Sequence, residues 1–139
     1  MVSVVTVTPE QIQLYQDLKI DEKYRFIILG LTKDRNALEI VALGEREKSL
    51  KDLEAHLPNN DCRYVVFDFE FETFENPPRP TRKILLISWA PDIAPIKVKV
   101  PFASSKTEIR SAFQGIQKDI QASDLGILDF EELRKECAH

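Results

Sequence analysis

Glycine is scarce in this chain, at four of 139 residues, and none of the four opens a glycine-rich loop of the kind that cradles phosphates. Low-complexity runs are absent too, which argues for a folded chain rather than a disordered one. Histidine occurs twice and cysteine twice. Cys62 and Cys137 match no zinc or redox spacing, so free thiols in a reducing cytosol are expected. His56 with Cys62 lacks an orienting partner, which leaves a thiol nucleophile without support. No catalytic constellation, metal or cofactor is implied, and the chain is not expected to be an enzyme. No apolar run approaches ~18 residues, so no membrane span is expected. The opening "MVSVVTVTPEQ" has no basic region leading into an apolar one and does not read as a secretory signal.

Hydrophobic residues make up 43% of the chain, enough for a core, and its length fits one compact domain over residues 1–139. "TPEQIQLYQDLKI" predicts a first helix: Thr8 caps it, Pro9 suits the first turn and Gln11 completes a capping box. "KYRFIILGLT" and "ALEIVALGE" read as two strands of a hairpin. "KSLKDLEAHL" is a short amphipathic helix. In "CRYVVFDFEFET", Val65, Phe67, Phe69 and Phe71 alternate with Asp68, Glu70 and Glu72. "FENPPRPTR" is a loop, and the unbroken apolar run Ile84–Ile87 suits a central strand covered on both faces. "IKVKV" reads as a further strand, "SSKTEIRSAFQGIQKDIQAS" as the longest helix and "DFEELRKECA" as a short last one. Interleaved strands and helices imply a layered α/β domain of the α+β type.

Charge is unevenly placed. The formal net charge is −4, from 19 Lys and Arg against 23 Asp and Glu. The stretch "IKVKVPFASSKTEIR" holds four of the bases, Lys97, Lys99, Lys106 and Arg110, with the single acid Glu108. Outside it, 15 bases face 22 acids. On a strand, Lys97 and Lys99 share one face. Edge lysines also block strand-to-strand aggregation, so that pair has a purely structural explanation as well. On the helix, Ile109, Ala112, Phe113, Ile116 and Ile120 form the apolar stripe, with a capping box from Ser105 to Glu108. Lys106 and Arg110 then stack on the opposite side, close to a helix start that favours acids. This placement points to an acidic partner. The overall acidity argues against nucleic acid.

Three further features have structural explanations. Side chains two apart on a strand lie about 7 Å apart, too wide for Asp68, Glu70 and Glu72 to share one small cation without other ligands, so a solvated strand face is expected there. "PPRP" is expected to be a rigid turn rather than a proline-rich ligand. Trp89 is expected in the core.

"DCRYVVFDFEF", "ISWAPDIAPIK" and "FASSKTEIRSAFQGI", in this order and at these distances, resemble the actin-depolymerizing factor/cofilin family. The likeness runs nearly end to end, from "SVVTVTPE" to "DIQASD". It implies a central mixed sheet of five or six strands flanked by helices on both faces. It also implies a cytoplasmic monomer at the actin cytoskeleton that binds actin monomers and filaments, favours ADP-bound subunits, and severs and disassembles filaments. Matching positions for the principal actin contact are Ser3, Lys97, Lys99, Lys106, Thr107 and Arg110. A second contact, to a neighbouring filament subunit, matches Arg79, Arg82, Lys83, Lys135 and Glu136. Ser3 is the candidate for regulatory phosphorylation, and phosphoinositide headgroups are expected to compete for the same lysines. The chain departs from the family pattern at Val4, Val100-Pro101, Thr107 and Ser111, and the Lys135–Glu136 charges are displaced. A monomer-biased binder, or a filament side-binder that does not sever, is the alternative.

Overall fold

The computed structural model describes residues 5–138. Helix α1 (Pro9–Lys19) leads into the hairpin β1 (Tyr24–Leu31) and β2 (Leu38–Glu45). The short α2 (Leu50–Glu54) follows, then the hairpin β3 (Arg63–Glu72) and β4 (Pro80–Trp89). Helices α3 (Ile96–Ser104) and α4 (Lys106–Ala112), strand β5 (Lys118–Ala122), a 3₁₀ turn over Leu125–Leu128 and α5 (Phe130–Cys137) complete the chain. The five strands form one mixed sheet in the order β2-β1-β3-β4-β5, antiparallel except for the parallel β4–β5 pair. No helix among the described residues is long and apolar enough to cross a membrane.

Alternation along the strands divides the core in two. Ile27, Leu29, Tyr64, Val66, Ile84 and Leu86 face one way, packed with Tyr15 and Leu18 of α1, Val98 and Phe102 of α3, Ile109 of α4 and Phe113 just after it. Phe26, Ile28, Val65, Phe67, Leu85 and Ile87 face the other way, with Leu53 of α2 and Leu133 and Cys137 of α5. Helices therefore cover both faces, and the central strands read as continuous apolar runs for that reason. The Thr8–Gln11 capping box forms as expected. Trp89 is buried and donates its indole N–H to the Pro58 carbonyl at 2.7 Å. Both cysteines are free and buried, and burial raises both thiol pKa values.

Two expectations are corrected. "IKVKV" is helix α3, not a strand. Its β-branched residues suit a strand by propensity, but Val98 and Phe102 are buried four apart, continuing the Ile109–Phe113 stripe upstream. Tertiary packing overrides local preference here. The long helix also stops at Ala112, and Gly115 turns the chain at φ +94°, a conformation that favours glycine. Residues 118–122 then pair with β4, so the expected stripe splits: Ile116 packs on one side of the sheet and Ile120 on the other.

Candidate functional site

The basic stretch becomes an elbow of two helices. Pro95 occupies the N-cap of α3, and Pro101 lies inside that helix, where it has no N–H to give the Lys97 carbonyl. Ser105 is the joint between α3 and α4 rather than the cap of a new helix. Its hydroxyl donates to the Pro101 carbonyl at 2.8 Å and its amide to the Phe102 carbonyl at 3.1 Å. The first helix of the elbow thus starts ten residues before the expected cap, and its first turn holds Lys97 and no acid, whereas Lys106 opens α4, whose first turn holds Glu108.

The elbow is fixed from beneath. Tyr64 stacks on Phe102 with ring centroids 4.0 Å apart and donates its hydroxyl to the Phe102 carbonyl. Tyr15 stacks on Phe113 at 4.6 Å and donates to the Gln114 carbonyl at 2.7 Å. Burial pushes the Tyr15 phenol up to about 12, against opposition from Arg82, and raises Tyr64 as well.

The outer side of the elbow is apolar at its centre. Ile96 and Val100, 76% and 63% exposed, stand one turn apart on one side of α3, and Ile93, 73% exposed, lies in the turn just before that helix. Lys97 is exposed among them and has no ion-pair partner among the described residues. Lys99 does not share its face: two residues on a helix stand about 200° apart. It is half-buried and donates to the Asp92 carbonyl at 3.1 Å. Asp119 of β5 lies 3.8 Å from Lys106 and pairs closely with Arg110, and Thr107 is exposed. The sequence reading missed both the apolar stripe and the Asp119 counter-charge. The stripe was legible only once residues 93–100 were read at helical spacing.

Ser3 lies outside the described residues. The second group of residues divides. Arg79 is exposed in the loop after β3 and pairs with Glu75 at 3.1 Å. Lys135 pairs with Glu132 at 3.5 Å, and Glu136 with Lys118 at 3.9 Å. Lys83 is half-buried on the α5 side of the sheet, where its charge acts on Cys137.

Arg82 turns the other way. Its Nε lies 2.7 and 2.8 Å from the Asp68 carboxylate oxygens, and its Nη2 donates to the Leu18 and Lys19 carbonyls at 3.2 and 2.7 Å. The hydrogen bonds to Asp68 hold its guanidinium above its ordinary pKa. Arg82 and Lys83 therefore do not form one contact patch.

Asp68 is also corrected. It is fully buried under the end of α1 rather than solvated, and Arg46 reaches its second oxygen at 2.5 Å. Glu70 and Glu72 are exposed as expected. The carboxylates of Glu22, Asp68 and Glu70 converge within 4.8 Å, but Arg25, Arg46 and Arg82 already occupy them. Three guanidiniums against three carboxylates make this an ion-pair network rather than a cation site.

The comparisons with known proteins fit this geometry. Residues 4–138 match the family model described as cofilin/tropomyosin-type actin-binding protein. This chain belongs to the cofilin/ADF family. A cofilin from Schizosaccharomyces pombe is 37% identical over 127 residues, covering 91% of this chain and 90% of the relative. A cofilin from Cryptococcus neoformans is 38% identical over 137 residues, covering 99% and 94%. The crystal structure of Streptomyces griseoflavus cofilin superposes with a TM-score of 0.84 at 31% identity, covering 95% of this chain and 96% of that one. Plasmodium berghei actin depolymerization factor 2 gives 0.83 at 26%, covering 99% of each chain. The family is one of actin-binding cytoskeletal proteins, and its five-stranded mixed sheet with flanking helices is the fold described above.

Proposed function

We propose that this chain binds actin monomers and filaments through the α3–α4 elbow, and that it promotes filament severing and depolymerisation in the cytoplasm. The observation that carries this reading is the exposed stripe of Ile93, Ile96 and Val100 around Lys97. Apolar side chains this exposed, grouped at the start of a braced helix beside Lys97, with Lys106 and Arg110 on the next helix, have the anatomy of a binding surface with a desolvated centre and a charged rim. The cationic rim suits an acidic partner such as actin. Phosphoinositide headgroups are expected to compete for it.

A negative charge at residue 3 inhibits binding in this reading. A phosphoserine carries about −1.5 to −2 charge at pH 7, enough to oppose the lysines and repel acidic actin. Ser3→Glu is expected to pellet less with filaments than Ser3→Ala, and equal pelleting at low and moderate salt would contradict the charge mechanism.

A monomer-biased binder, or a side-binder that does not sever, is the second reading. It is favoured by the internal pairing of Arg79, Lys135 and Glu136 and by the inward turn of Arg82. Filament co-sedimentation beside a monomer-binding titration, with imaging of filament length, separates the two. Short filaments and loss of pellet support severing; intact filaments with tight monomer binding support the second reading.

A further inference from the structure

The β3–β4 hairpin projects beyond the sheet. Strand β1 pairs only with Tyr64–Phe67 of β3, whereas the β3–β4 ladder continues to Glu72 and Pro80. Residues 68–72 thus have a strand on one side only. The tip leaves backbone acceptors open as well. Arg79 gives its amide to the Thr73 hydroxyl at 3.1 Å instead of to the Thr73 carbonyl, while the Thr73 amide donates to the Arg79 carbonyl at 2.9 Å.

One side chain from another element meets this tip. Arg134 of α5 donates Nε to the Glu72 carbonyl at 2.6 Å and Nη2 to the Thr73 carbonyl at 3.3 Å. Its guanidinium carbon lies 4.0 Å from the centroid of the Phe74 ring, and Nη1 donates to Glu131 at 3.3 Å. The other charged residues of α5, Glu131, Glu132, Lys135 and Glu136, are exposed, whereas the Arg134 side chain is only 21% exposed. A planar fork that meets two successive carbonyls while stacking on a ring fixes orientation as well as position.

We propose that Arg134 is the positioning residue that locks the hairpin tip to α5 and holds the two parts of the second surface, Arg79 on the tip and Lys135 with Glu136 on α5, in one fixed relation. This rests on the reading that those residues meet a neighbouring filament subunit. Arg134 itself does not face the partner. It removes the ordering that binding would otherwise impose on the tip, a saving that corresponds to about two- to tenfold in affinity.

The test uses the full chain with Arg134→Ala and Arg134→Lys. Amide hydrogen exchange at Thr73 and Arg79 is read by NMR, beside filament co-sedimentation and monomer binding. Both variants should lose protection at the tip and about two- to tenfold in filament affinity, with monomer affinity unchanged, because an ammonium cannot reproduce the fork. Retained protection at Thr73 and Arg79 in Arg134→Ala would overturn the proposal. If filament affinity fell with protection intact, Arg134 would be a direct contact instead. Full recovery in Arg134→Lys would reduce its part to charge. Arg79→Ala combined with Lys135→Ala separately checks the reading beneath. Unchanged filament affinity there removes the second surface, while tip protection in Arg134→Ala still reports whether Arg134 holds the hairpin.

Discussion

The elbow of α3 and α4 and the sheet end around Asp68 both concentrate charge, and they use it in opposite ways. At the sheet end, Arg25, Arg46 and Arg82 close on Glu22, Asp68 and Glu70, with Asp68 fully buried. At the elbow, Lys97 stands exposed beside three exposed apolar side chains, and Asp119 partly offsets Lys106 and Arg110. The first arrangement is closed within the fold. The second leaves both apolar area and positive charge for a partner. A basic residue locked onto a buried carboxylate, as Arg82 is, is thus a poorer candidate contact than one left exposed and unpaired among the described residues, as Lys97 is.

The largest effect should come from breaking the closed arrangement. Asp68→Ala strips Arg82 of its carboxylate and Arg46 of one of its three partners, and should cost about 3 kcal/mol of stability, the low end for a broken buried pair because both guanidiniums keep some solvent. Glu70→Ala, at an exposed position, should cost under about 1 kcal/mol. Urea denaturation measures both, and equal losses would contradict the distinction between closed and open charge.

At the elbow the order reverses. Ile96→Ala with Val100→Ala should hardly change stability but weaken monomer binding by about 2 kcal/mol or more. Unaltered binding in a titration against monomeric actin would remove the stripe from the interface.

A smaller effect should follow from releasing the rim. Asp119→Asn frees Arg110 and Lys106, and should tighten actin binding by up to about 1 kcal/mol at low salt, with the gain fading as salt rises. Weaker binding in that variant would show that Asp119 orients Arg110 rather than competing for it.

The mildest effect concerns the brace under the elbow. The Tyr15 phenol is raised from 10.0 to about 12 in the folded chain. Between those values the unfolded chain releases its proton first, so the contribution of this phenol is full below pH 10 and is lost as pH rises above it, as is that of Tyr64, which is raised too. Tyr15→Phe should flatten that fall in thermal melts taken from pH 9 to 11. An unchanged slope would assign the alkaline loss elsewhere.

Much of this fold was legible from local pattern. Ile84–Ile87 announces two covered faces by unbroken apolar content, the alternation along residues 65–72 announces a strand, and Thr8, Pro9 and Gln11 announce a helix start. The elbow was harder to read. Ile96, Val98 and Val100 are β-branched or spaced by two, and both signals belong to strands until Phe102, Ile109 and Phe113 are included in one helical register. Residues 118–122 were absorbed into the expected helix because Ile116 and Ile120 happen to lie four apart. Site charges were identified as residue types but not as partners. Asp68 and Arg82 take their roles from neighbouring strands and from α1, and Asp119 takes its role from α4, which no local pattern encodes.

The central claim is that the elbow is the primary actin surface. Backbone hydrogen–deuterium exchange of the full chain, with and without saturating monomeric actin, tests it most directly. Protection should rise across residues 93–110, with β1 and β2 unchanged. Protection that rose instead around residues 24–45, with residues 93–110 unaffected, would contradict the account.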